Sequence, residues 1–449
     1  MDVYPYTLQI YSFKRPPNEA EWDILRSYTR RIWHISGYSN PDGWLNNDSL
    51  IAICTPSVTA PLFPNLRTLY WQGCRSTTMI PAVHIAVPSL SSLHLNFTPG
   101  HVPALKDFLD TLGTLCPNIQ QYRISIFRPH IFDNIICSHI RQQTGLRSFR
   151  CGSVIFDADT ISHLSRMPSL THLSFTQIPN IFDRTFSFDA APDFSTLTHL
   201  EMGSESLERV TALLSYARLP VVEDLNVKFS ICPSKEAFKS SITTIQNVCS
   251  SNSLARLELR GTQSPGLFDG IPGNRLILDD IRPCMEFVNF RHVNINLEWS
   301  IDLTDSDLLA MVSAWPHIRS LLINNGWGWR TTVGITLQGV LQLLQKRRSL
   351  SELCIAIHTD SFVKAPHGFK TGFLPPPSLL TLNLADSPIR QADVPTLADV
   401  FVKLGLRPHC FSAWSGIVME SIEGGAEHRR LWRQVFERVM AESVSGERG

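Results

Sequence analysis

The chain has 449 residues, with 40 Lys+Arg against 40 Asp+Glu and a formal net charge of zero. This excludes bulk binding to nucleic acid or to an anionic membrane, both of which draw on a basic excess. The 43% hydrophobic content is ample for a continuous core, while no run approaches the roughly 18 uninterrupted apolar residues of a membrane helix.

In chain order, residues 1–17 carry a short apolar run, Leu8 to Phe13, followed by Lys14-Arg-Pro-Pro17. No basic segment followed by an apolar one marks a signal peptide. Asn18 suits the N-cap of a helix over 19–31, whose apolar positions Trp22, Leu25 and Tyr28 recur every three residues. Ile32 to Ile35 reads as a first strand, and the Gly/Pro/Asn/Asp-rich stretch 36–49 as a loop. Helical patterns then recur at 104–115, 159–166, 206–217, 234–249, 304–315 and 336–347. Segments 261–274, 324–333 (with Trp327 and Trp329) and 358–377 read as insertions that loop outward. Residues 395–406 form another helical pattern, and 409–414 reads as a last edge strand. Over 427–442 an amphipathic helix places Leu431, Trp432, Val435, Phe436, Val439 and Met440 on one stripe.

The strands between these helices share one spacing. Met167-Pro-Ser-Leu-Thr-His-Leu-Ser-Phe175 sets apolar residues at 170, 173 and 175, the L-x-x-L-x-L core of a leucine-rich repeat. The same three slots hold Leu66/Leu69/Trp71, Leu90/Leu93/Leu95, Ile119/Tyr122/Ile124, Leu146/Phe149/Cys151, Leu197/Leu200/Met202 and Val222/Leu225/Val227. They continue through Leu254/Leu257/Leu259, Phe290/Val293/Ile295, Ile318/Leu321/Ile323, Leu350/Leu353/Ile355 and Leu379/Leu382/Leu384. The twelve copies lie 24 to 36 residues apart, and in seven of them a proline stands two residues before the first slot. Proline cannot continue a helix and biases its predecessor to extended backbone, so it marks the corner from helix to strand. One repeat cannot bury its apolar face alone, so the copies must stack. The expected fold is therefore an α/β leucine-rich-repeat solenoid with a curved parallel sheet inside and helices outside. Its expected parts are an N-terminal segment and capping helix over 1–31, the solenoid over 32–390 and a C-terminal cap over 391–449.

The ten cysteines are scattered without a Cys-x-x-Cys, which favours a reducing compartment and hence the cytoplasm or nucleus. Nucleotide-binding glycine loops, His-Glu-x-x-His and Gly-x-Ser-x-Gly are all missing, so no catalytic residue, cofactor or metal site is expected. His172 and His199 occupy the same slot of neighbouring repeats, with Glu201 near them, and two solvated histidines are the expected arrangement. Strand alternation turns the residues between the core slots toward the concave side, the usual platform of a solenoid. The expected protein-binding face comprises Tyr70, Arg123, Arg150, His172, His199, Glu201, Arg256, Glu258 and Arg260. Tyr70 and the arginines are the expected anchors, because Tyr and Arg are enriched at binding hot spots.

Lys14-Arg-Pro-Pro and 21–35 (Glu-Trp-Asp-Ile-Leu-Arg-Ser-Tyr-Thr-Arg-Arg-Ile-Trp-His-Ile) resemble the start of the repeat region in F-box proteins of mushroom-forming fungi. So do the Pro-x-Leu-x-x-Leu-x-Leu copies, the Leu384-Ala-Asp-Ser-Pro388 turn and the closing His428-Arg-Arg-Leu-Trp432 helix. The resemblance implies a protein target held on the repeats as part of a cullin ubiquitin ligase. It implies the ligase adaptor as a second partner where an F-box precedes the repeats, and no three-helix F-box pattern is legible before Lys14. The alternative is a stand-alone repeat adaptor with no ligase role.

Overall fold

Each repeat offers alternating apolar and polar residues after a proline or turn, the pattern of a short strand with one buried face. The computed structural model describes residues 15, 18–38, 61–73, 85–97, 102–126, 132–152, 154–178, 188, 190–262, 274–329, 334–359, 379–403, 411–414 and 424–446. Residues 1–202 with 216–218 form one compact unit, and 203–215 with 219–449 form a second.

In the first unit β1 (His34–Tyr38), β2 (Thr68–Gly73), β3 (Ser92–Phe97), β4 (Gln121–Ile126), β5 (Ser148–Cys151), β6 (His172–Phe175) and the start of β7 (His199–Ser204) pair in parallel, in chain order. The register aligns the repeats slot for slot. Leu69, Leu93, Tyr122, Phe149, Leu173 and Leu200 form one buried row, and Trp71, Leu95, Ile124, Cys151, Phe175 and Met202 the next. Among the described residues of this unit the helices are α1 (Glu19–Thr29), α2 (Val102–Leu115), α3 (Asp133–Gln142) and α4 (Ala158–Ser165). Helices cover the buried side of the sheet, as when Tyr122 of β4 meets the ring of His139 of α3 edge-on at 5.6 Å.

The second unit runs α5 (Leu207–Tyr216), β8 (Asp224–Phe229), α6 (Lys235–Val248), β9 (Arg256–Gly261), β10 (Arg275–Leu276), α7 (Leu278–Ile281), β11 (His292–Asn296), β12 (Ser300–Ile301) and α8 (Asp305–Ala314). It continues with β13 (Ser320–Ile323), α9 (Leu337–Lys346), β14 (Glu352–Cys354), β15 (Thr381–Asn383), α10 (Val394–Lys403), β16 (Phe411–Ser412) and α11 (Gly425–Gly446). Strands β8, β9, β11, β13, β14, β15 and β16 pair in parallel, again slot on slot, while β10 and β12 pair apart from them. The fold is thus the expected leucine-rich-repeat solenoid.

Two hydrogen-bond devices recur at the strand entrance. First, the carbonyl one residue after the first slot accepts two consecutive amides from the next repeat. Arg147 O takes both Thr171 N and His172 N at 2.9 and 3.0 Å, and Arg291 O takes Arg319 N and Ser320 N at 2.8 and 2.9 Å. Second, the residue just before the first slot is often Ser, Thr or Asn, and its side chain donates to a backbone carbonyl one repeat back. Asn65 reaches Arg30 O (2.7 Å), Ser169 reaches Leu146 O (2.9 Å), Ser253 reaches Pro220 O (3.0 Å) and Asn289 reaches Asn252 O (2.7 Å). The sequence repeats this second position, but it passes unnoticed beside the leucines.

Three of the expected helices start one residue late because the polar residue that opens them is the cap. Ser234, Thr304 and Thr336 accept from the amides of Ala237, Asp307 and Gly339. Helix α3, with buried Ile136, Cys137 and Ile140, is not anticipated by the sequence reading. Four expectations are corrected. Tyr28 and Met440 do not join their buried stripes; they are 63% and 51% exposed, and Thr29 is buried beside Trp22 instead. Residues 324–329 do not loop outward: Trp327 and Trp329 are buried. Asn324 (φ 52°) folds this segment inward, accepting from Leu297 N at 2.7 Å and donating to Trp299 O and Gly328 O. Cys354 and Ala356, which strand alternation would turn outward, are buried with the rest of 353–357, and β14 ends at Cys354. The run Leu8 to Phe13 and the expected loops over 39–49, 263–273 and 360–377 lie outside the described residues.

Leu173 is 2% exposed at the centre of its row. Leu173→Ala is expected to cost about 2–5 kcal/mol, read as a lower urea midpoint at unchanged slope. His139 is 1% exposed, and burial pushes its imidazole down to about 4. The unfolded chain protonates it near pH 6.5, so its contribution is fully present above that value and is lost as pH falls toward about 4. Urea titrations across this window should show His139→Leu losing less stability on acidification than the parent chain.

Candidate functional site

In the first unit, side chains between the buried rows emerge on the sheet face away from the helices. Register places Tyr70, His94, Arg123, Arg150, Ser174 and Glu201 side by side along one lane. Thr68, Ser92, Gln121, Ser148, His172 and His199 form the adjacent lane. All six first-unit residues expected from sequence therefore share one face. Arg123 and Arg150 are exposed, while Tyr70, His172, His199 and Glu201 are half-buried. His94, absent from the expected set, stands between Tyr70 and Arg123 and meets the Tyr70 ring edge-on at 5.8 Å. Strand alternation turns it to this face as it does the rest of the lane.

His172 and His199 stack with ring centroids 4.1 Å apart and planes 8° from parallel. Their Nδ1 atoms lie 2.8 and 2.9 Å from the hydroxyls of Thr171 and Thr198. Each of those hydroxyls already donates its one proton to a backbone carbonyl, at 3.1 and 3.0 Å. Which atom donates in each hydroxyl–imidazole contact follows from the imidazole tautomer. Burial, the neighbouring imidazole and the Arg150 guanidinium together hold His172 below the ordinary histidine value. Burial, with Arg123 and Arg150, does the same to His94. At neutral pH the positive charge of the lane is carried by its arginines.

Glu201 accepts the Ser174 hydroxyl at 3.0 Å. Among the described residues no acidic side chain pairs with Arg123 or Arg150. The second unit differs. Register aligns Asp224, Arg256, His292, Ser320 and Glu352 in one lane, and Asn226, Glu258 and Asn294 in the next. Arg256 pairs with Asp224 at 3.3 Å, and Arg260 pairs with Glu258. Ser320 donates to Glu352 at 2.7 Å and Asn294 to Glu258 at 3.5 Å. The expected residues Arg256, Glu258 and Arg260 thus share a face, but each arginine already has a carboxylate of its own sheet.

Among the described residues no three His, Cys, Asp or Glu side chains gather as metal ligands would, and no helix is long and apolar enough to cross a membrane. Three buried thiols are pushed up, Cys116 to about 11 and Cys249 and Cys284 to about 12, all chiefly by burial. Such thiols are poor nucleophiles.

No family model matches the chain, and no curated protein matches it. Among solved structures, the Rad7–Elc1 complex of yeast aligns at 11% identity over 67% of this chain and 79% of that one, with a TM-score of 0.32. A TLR13–ssRNA13 complex aligns at 12% identity over 75% and 51%, with a TM-score of 0.37. The plant peptide hormone receptor RGFR1 bound to RGF2 aligns at 13% identity over 79% and 56%, with a TM-score of 0.29. The repeat assignment itself rests on the strand register.

Removing the Arg150 charge should relieve His172. By proton NMR, His172 of the parent chain is expected to titrate below the ordinary histidine value, and Arg150→Gln is expected to move its midpoint upward. A downward shift would contradict the arrangement.

Proposed function

We propose that the chain is a non-catalytic protein-binding scaffold that holds a target on the open face of its sheets, as the substrate-recognition part of an F-box type ubiquitin ligase in the cytoplasm or nucleus. The observation that carries the binding reading is the register. It gathers Tyr70, Arg123, Arg150 and the stacked His172/His199 on one face of the sheet. Aromatic and guanidinium side chains held on a rigid sheet bring large contact area at little ordering cost. Arg256, Glu258 and Arg260 extend the same role in the second unit. The described residues after 390 close the end of the repeats: Trp414 and Trp432 both donate to Ser387 O at 2.8 Å, and the rings of Phe401 and Trp432 lie 6.3 Å apart. The ligase reading rests on the resemblance carried by Lys14-Arg-Pro-Pro17, the Leu384–Pro388 turn and the closing helix.

A photo-crosslinking residue at exposed Gln121, on the open face, tests the scaffold reading against one at exposed Glu236, on α6. Protein adducts are expected from position 121 and not from position 236. Equal adducts from both positions, or none from 121, would overturn it. Co-precipitation of the cullin-ligase adaptor by the natural gene product tests the ligase role; adducts without adaptor would leave the stand-alone adaptor in its place.

A further inference from the structure

We infer that the open face of the first unit takes an acidic peptide segment, whose carboxylates complete Arg123 and Arg150. The inference rests on the protein-binding reading above and names the chemistry of the partner at that face.

Arg123 and Arg150 stand directly opposite one another on β4 and β5, about 4.8 Å apart at the backbone. Like charges in that relation destabilise a sheet unless a counter-charge fills the space between them. The lane's one carboxylate, Glu201, stands two strands from Arg150 and pairs with neither arginine. On one side lie His94 and Tyr70. On the other lies Ser174, whose hydroxyl is committed to Glu201 at 3.0 Å.

The second unit shows how the same architecture treats an arginine when it supplies the partner itself. Asp224 sits one strand from Arg256 and holds it at 3.3 Å. Glu258, two residues along its own strand, holds Arg260. In each case one carboxylate serves one guanidinium. The first unit presents two guanidinium groups and withholds both carboxylates, so a partner carrying two acidic side chains restores the pattern.

Tyr70 completes the footprint. Two strands from Arg123 and braced by the edge contact with His94, it offers an aromatic surface to an apolar residue flanking the acids. The partner is therefore an extended segment with an apolar residue followed by two acidic ones. A nucleic acid fits less well. Tracking a phosphate backbone takes a long basic groove, whereas here the chain has no net charge and the lane holds one adjacent pair of unpartnered arginines.

The test is fluorescence anisotropy on the full chain at low ionic strength. The probe is a labelled peptide of alternating glycine and glutamate with a tryptophan at its end, compared with its glutamine and phosphoserine counterparts and with an oligouridine RNA. The glutamate peptide is expected to bind about tenfold or more tightly than the glutamine peptide. Arg123→Gln with Arg150→Gln is expected to abolish that preference. Arg166→Gln, an exposed arginine at the end of α4, is expected to retain it. Both variants change exposed side chains, so their thermal melts should match the parent. Equal binding or no binding of the two peptides, the same loss in Arg166→Gln, or preference for the phosphoserine or RNA probe would overturn the inference. Such a failure would leave the crosslinking result at Gln121 untouched, so the two readings fail separately.

Discussion

The whole arrangement depends on one small device: a carbonyl at the strand entrance that accepts two consecutive amides of the next repeat. It appears at Trp33, Arg67, Ser91, Gln120, Arg147 and Thr171 in the first unit. In the second it appears at Glu223, Ala255, Arg291, Arg319 and Ser351. A carbonyl oxygen has two lone pairs, so both bonds are satisfied without a side chain. Because the device is made of backbone alone, it fixes register whatever the residue at that place. With register fixed, side-chain period two sends every second residue to the core and the rest outward. A slip of one residue would exchange the two faces, and the buried rows of Leu, Ile and Phe make that slip costly.

Much of this was legible in the sequence because the repeats state it again and again. The second slots, Leu69 through Leu200 and Leu225 through Leu382, and the third slots as far as Ile323 are residues that the register aligns. What escaped has local causes. Trp327 and Trp329 lie in a stretch rich in Gly and Asn, which reads as an exposed insertion; only three dimensions show Asn324 turning it inward and Asp386, 57 positions on, accepting Trp329 N at 2.6 Å. Pattern reading rests on neighbours in sequence, and this contact has none. Tyr28 and Met440 failed for another reason: helical stripes are wider than the partner available to cover them, so the residue at the margin stays in solvent.

The face was legible as a set of positions but not as a pattern of charges. Alternation correctly put Arg123, Arg150, Arg256 and Arg260 on the outward side. It could not distinguish an arginine held by its own sheet from one left open. That distinction depends on which residue stands opposite, and hence on register across repeats 24 to 36 residues apart.

The Leu384–Pro388 turn shows how a short motif can matter beyond its length. Ala385 adopts φ 44°, which lets three successive residues point in different directions. Asp386 reaches back to Trp329 N, the Ser387 hydroxyl accepts Ile357 N at 2.8 Å, and the Ser387 carbonyl receives both Trp414 and Trp432. Each of these groups is buried, where an unmet donor or acceptor costs about 1–3 kcal/mol. The turn therefore binds an earlier insertion, the end of β14 and the closing helix α11 through polar contacts of fixed direction. Apolar packing alone would tolerate sliding among these elements, whereas these bonds fix their direction.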